Sequence, residues 1–161
     1  MRGTLAAVCM AMALGSAAWA DSCWQRVYSK AHLASNPNQP VTMLQVKLPA
    51  IRSGTATAWA TFRDDKTVYS TPLICWAPAP GAPEGAWECG VECDGGAFTA
   101  WPAGGDALLL RTVGGFLVAG GCGTGEDLRW VTDINVVRTT YRLQRVDPGV
   151  CKKTHQGQKE D

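Results

Sequence analysis

Cysteine most narrows what this chain of 161 residues can fold into: there are seven, and the compartment decides whether they become cross-links. Residues 1–20 read as a secretory signal peptide. Arg2 supplies the positive charge, an apolar run follows from Leu5 to Leu14, and Ala18-Trp19-Ala20 offers an A-x-A cleavage pattern before Asp21. The apolar run is too short to span a bilayer comfortably, so export with removal is expected and no membrane insertion after processing. Cys23 lacks the residues that precede a lipidated cysteine. Cleavage takes away Cys9 and leaves Cys23, Cys75, Cys89, Cys93, Cys122 and Cys151, an even set that suits disulfides in a periplasmic or secreted protein.

Six cysteines allow many pairings. Cys23 with Cys151 is expected because the two bracket the mature chain and the ends of a closed β domain often meet. Cys75 with Cys89 would close the proline-rich segment, which leaves Cys93 with Cys122. Metal is the competing use, but Cys89 and Cys93 have no second ligand pair at zinc spacing, and the chain holds only two histidines, His32 and His155. No metal and no cofactor are expected.

Charge excludes further classes. Lys plus Arg number 15 against 14 Asp plus Glu, so no global field gathers nucleic acid, and a hydrophobic content of 46% is too high for a disordered chain.

The segment 21–151 reads as one disulfide-stapled β domain, followed by an expected disordered polar tail over 152–161. Its dominant pattern is alternation. Leu44, Val46 and Leu48 share one parity against Met43, Gln45 and Lys47, and Ala56, Ala58, Ala60 and Phe62 oppose Thr57, Trp59 and Thr61. Asp64-Asp65-Lys66 is expected to turn the chain into a strand ending at Trp76, with Pro72 marking an edge or bulge. Residues 77–86, rich in proline, form a loop. Short runs follow, separated by glycine pairs, and Gly114-Gly115 reads as a two-residue hairpin turn. Residues 139–146 alternate again. Helix is confined to one short N-terminal turn at 29–34, stopped by Asn36-Pro37. The expected fold is all-β: a single antiparallel small barrel or sandwich, lipocalin-like, of about eight strands.

Chemistry-bearing motifs are sparse. His32 has no serine elbow beside it, Glu88, Glu92 and Asp94 sit on the solvent parity of a stapled strand and turn, and the glycine-rich stretch 120–125 lacks the Lys-Ser/Thr of a phosphate loop. The chain is therefore read as no enzyme. Arg138, Arg142 and Arg145 spread along the last strand as a solvated, aggregation-resistant surface.

Aromatic residues are the unusual supply that remains. Tyr69, Trp87, Phe98 and Trp101, on short strands near glycine turns, are the candidate ligand contacts of a monomeric binding protein for an unknown small ligand. The alternative is an inhibitor or partner of another envelope protein, acting through loop 77–86. An enzyme built on His32 is the third reading.

The run Tyr28-Ser29-Lys30-Ala31-His32-Leu33-Ala34 with Pro37, Gln39 and Val41, together with Cys89-Gly90-Val91-Glu92-Cys93-Asp94-Gly95-Gly96, resembles a family of small exported bacterial proteins with six cysteines. The resemblance covers most of the mature chain. It implies no catalytic residues, and it singles out His32 and Asp94 without giving them a role.

Overall fold

In a computed structural model, residues 21–120 and 127–151 are described. The leader 1–20, the tail 152–161 and Cys122 lie outside them. The elements are β1 (Ser22–Val27), α1 (Lys30–Ser35), β2 (Val41–Leu48), β3 (Gly54–Phe62), β4 (Tyr69–Trp76), β5 (Trp87–Gly90), β6 (Gly96–Pro102), β7 (Ala107–Ala119), β8 (Leu128–Trp130) and β9 (Arg138–Val146).

Each strand pairs antiparallel with the next from β1 to β7; β7 then pairs with β9, and β9 with β1. The ring closes on eight strands, an all-β antiparallel barrel, and β8 is an outer addition along the far half of β7. A barrel of this size has an interior just wide enough to be filled by side chains. Leu44, Val46, Leu48, Ala58, Ala60, Leu108, Leu110, Phe116 and Leu143 are each 0% exposed and form one cluster with Phe98, Leu73 and Tyr141. Ala60 and Ala58 of β3 lie opposite Leu44 and Val46 of β2, so small and large side chains interdigitate without crowding.

The expected hairpin at Gly114-Gly115 does not exist: β7 runs through both residues as a single strand of 13 residues. Their positive φ values, 75° and 91°, bend the strand instead of reversing it. Before the bend β7 lies between β6 and β9; after it, Leu117–Ala119 pair with β8, and Ala119 meets Ser70 of β4. A Cβ on Gly115 would stand 3.0 Å from Thr132 and 3.2 Å from the Trp130 ring, so the returning chain requires glycine there.

The other punctuation behaves as expected. Ser29 caps α1 by accepting from His32 N–H, and Asn36 ends it. At the β3–β4 turn, the Asp65 carboxylate accepts from the Thr67 backbone N–H at 2.8 Å. Pro72 pairs with Thr57 on one side only, because β5 does not reach β4 before Ile74.

Among the described residues two bridges are formed, Cys75–Cys89 and Cys23–Cys151. The first joins directly opposed residues of β4 and β5 inside the barrel, with Cα atoms 4.0 Å apart. The second fastens the helical turn at 148–151 to the outside of β1, where Cys23, Cys151 and Trp59 form a small second core with Val68, Val146 and Val150. Gln45, opposite Trp59, is fully buried on that outer wall, and neither its amide atoms nor the Trp59 Nε1 finds a hydrogen bond. Cys93 is exposed and joined to no described cysteine; its expected partner, Cys122, is outside the described residues.

Cys23 and Cys151 are 128 residues apart. Closing so long a loop is worth about 5 kcal/mol in the chain-entropy account. The double substitution Cys23→Ser, Cys151→Ser is expected to lower the unfolding free energy by about 3–5 kcal/mol in a denaturant titration while leaving the barrel's far-UV spectrum intact.

Candidate functional site

The four aromatic residues singled out by sequence do not share a face. Phe98 is 2% exposed and its ring lies 5.2 Å from that of Phe116 in the interior. Tyr69 is 3% exposed, with its ring edge-on to Phe62 at 5.4 Å and its hydroxyl donating to Asp65 at 2.6 Å on the rim. Both fill the barrel. Trp101 stands three positions beyond Phe98 on β6, and an odd offset on a strand reverses the face. It is half-buried on the outer wall, with the Arg111 guanidinium 4.7 Å from its ring. Trp87 sits at the rim, also half-buried, and its indole N–H donates to the Pro49 carbonyl at 3.2 Å.

Trp87 is the predicted residue that lines a substantial groove. Ala50, Ile51, Arg52, Gly85 and Pro102 complete it, around a volume of about 590 Å³. Ile51 is 64% exposed, a large apolar side chain held in water beside an indole. The turn at 49–53 and the loop at 77–86 come together here because position 85 is glycine. A Cβ on Gly85 would lie 3.2 Å from Pro102 and 3.5 Å from the Arg52 guanidinium.

Loop 77–86 has no strand or helix, yet it is not loose. Ala82 N–H donates to Ala79 O, Ala86 N–H donates to Pro83 O, and Ala79 N–H donates to the Glu88 carboxylate. Ala86 is fully buried, and the Cys75–Cys89 bridge closes the base, one residue before Trp76 and two residues after Trp87. Its proline positions stay exposed at Pro80 and Pro83. Sequence reasoning found the loop and Trp87 but missed Ile51 and Arg52, which sit in a turn without a motif.

The opposite mouth is closed by polar contacts. Arg63 donates to the carbonyls of Leu33, Asn36 and Gln39, and so ties α1 and the following chain to the end of β3. Ile134 N–H donates to Asn38 O, which draws the 131–137 segment across. A groove of about 430 Å³ remains beside it, with Pro37, Pro40, Phe62, Trp130 and Ile134 as its apolar lining and the Arg129–Asp64 ion pair at 2.9 Å. His32 stacks on Tyr28 with ring centroids 4.8 Å apart, and its Nε2 lies 3.1 Å from the Gln39 side-chain oxygen. An amide partner orients an imidazole; it does not activate it as a base. Asp94, singled out with His32, is exposed in the bend after Cys93.

Three titrating groups meet under this mouth. Burial pushes the Tyr28 hydroxyl up to about 12, although Arg26 nearby opposes the shift. Burial and then the Asp133 charge raise Tyr141 further, and burial raises Asp133 itself, with the Tyr141 hydroxyl holding it down in part. Neither Asp133 Oδ1 nor the Tyr141 hydroxyl has a well-formed hydrogen bond. On the exposed rim the reverse holds: bonds from the Tyr69 hydroxyl and from Thr67 lower Asp65 to about 2.

Comparison with protein-family models, with curated proteins and with solved structures found no match for this chain.

Because the folded state raises the Asp133 carboxyl, its contribution favours folding below the unfolded value of ~3.9 and is lost as pH rises through the folded value. Asp133→Asn is expected to raise the melting temperature at pH 7 relative to the natural chain and to give no gain at pH 3.

Proposed function

We propose that this protein is an exported, non-catalytic barrel that binds another protein through the end where loop 77–86 and the 49–53 turn flank Trp87. The observation that carries the reading is the filled interior: the residues that would line an internal ligand chamber are packed against one another. Recognition is thereby left to the outside. There, a loop closed at its base by Cys75–Cys89 and tied internally by two turns loses little conformational entropy on docking. Beside it, Ile51 and Trp87 offer apolar area, and Arg52 supplies a charge that no described acid neutralises.

Export is supported by the leader-like residues 1–20, by two disulfides that persist in oxidising compartments, and by the resemblance to exported six-cysteine proteins. No helix among the described residues is long and apolar enough to cross a membrane.

A second reading has one observation in its favour. The groove at Trp87 falls within the ~300–1,000 Å³ of small-molecule sites, and an indole beside a guanidinium suits a flat, anionic ligand.

A photoreactive benzophenone side chain placed at Pro80 separates the two. The protein-binding reading expects a discrete cross-linked adduct from Pro80 and none from the same probe at Val113 on β7. Replacing residues 78–85 by a glycine-serine linker should remove competition for that adduct by the unlabelled protein. Equal adducts from both positions, or full competition by the loop-replaced chain, would contradict it. Saturable quenching of tryptophan emission by a small anion, lost in Trp87→Phe, would favour the second reading.

A further inference from the structure

On the outer wall of β6, β7 and β9, the arginines are segregated from the acids. The outward positions are Ala97, Thr99 and Trp101 on β6, Leu109, Arg111 and Val113 on β7, and Arg138, Thr140, Arg142 and Gln144 on β9. None is acidic. Arg111, Arg138 and Arg142 are all exposed, and the two ion pairs of the described residues involve other groups. Glu88 on the adjoining β5, opposite Thr99, is the acid at the border, and its carboxylate accepts from Ala79 N–H.

The register fixes the pattern. Arg111 lies opposite Thr140, midway between Arg138 and Arg142 on the neighbouring strand. Four residues of strand separate those two by about 13 Å, so the guanidinium groups form a narrow stripe along the barrel. Thr99 and Thr140 flank Arg111 across the sheet, and its guanidinium lies over the face of the Trp101 indole.

We infer that this stripe is a binding site for an acidic polysaccharide. Guanidinium groups in a row, each able to grip a carboxylate through two parallel hydrogen bonds, complement an anion that recurs along a linear chain. The threonine hydroxyls match sugar hydroxyls in both donor and acceptor capacity, and the Trp101 ring beneath the Arg111 guanidinium holds that group at the centre of the stripe. The chain's formal net charge is only +1, so the attraction is local to the stripe; a bilayer or a nucleic acid would call for a broader positive field.

Affinity electrophoresis of the oxidised protein in native gels containing polygalacturonate tests the assignment. Migration should be retarded by polygalacturonate, left unaltered by neutral dextran, and progressively restored by added salt. The double variant Arg111→Gln, Arg142→Gln should weaken the retardation about tenfold, and Arg138→Gln alone should weaken it less. Near-UV circular dichroism matching the natural chain would show that the variants keep the fold. Absence of retardation, undiminished retardation in the double variant, or equally tight binding to phosphatidylglycerol vesicles or single-stranded DNA would overturn the assignment.

Discussion

Close packing inside the barrel decides where this protein can act. Eight strands enclose a space that side chains alone can fill, and here they do: Leu44 and Val46 of β2 meet Ala60 and Ala58 of β3, while Phe98, Phe116, Leu108 and Leu110 complete the middle. Enlarging that space for a guest would mean separating residues whose mutual burial is the main favourable contribution to folding. The surfaces left open to a partner are the rims and the outer wall, and each is shaped by the same register that fills the interior.

The disulfides act at two different places in this arrangement. Cys75–Cys89 lies within the wall and restrains the loop that leaves it, so its consequence is felt at the Trp87 rim. Cys23–Cys151 lies outside and holds the chain's C-terminal turn over Trp59, giving β1 a covered outer face at the seam where β9 closes the ring. That outer core buries Gln45 without a hydrogen-bond partner, a cost that the staple and the surrounding apolar contacts must offset.

Much of the fold was legible because strands announce themselves by parity. The alternation at 44–48 and 56–62, the Asp65 turn, the Ser29 cap and the proline loop all follow from local rules that tertiary contacts did not override. Pairing Cys23 with Cys151 also succeeded, since barrel closure brings the first and last strands together. The failures have one cause, long-range register. Glycine at 114 and 115 permits either a reversal or a bend, and only the need for β7 to serve β6, β9, β8 and β4 in turn selects the bend. Likewise, four aromatic residues looked alike until their strands were paired, after which Tyr69 and Phe98 faced inward, Trp101 outward and Trp87 along the rim. The arginine stripe was seen only as a solvated surface, because Arg111 joins Arg138 and Arg142 through the sheet and not through the sequence.

The central claim, that the interior holds side chains and no guest, is tested most directly by diffraction from crystals pressurised with xenon, an atom that enters empty apolar cavities. The account predicts no xenon among Leu44, Leu108, Leu110 and Phe116. A well-occupied xenon atom at that position would contradict it and return the barrel's centre to consideration as a binding chamber.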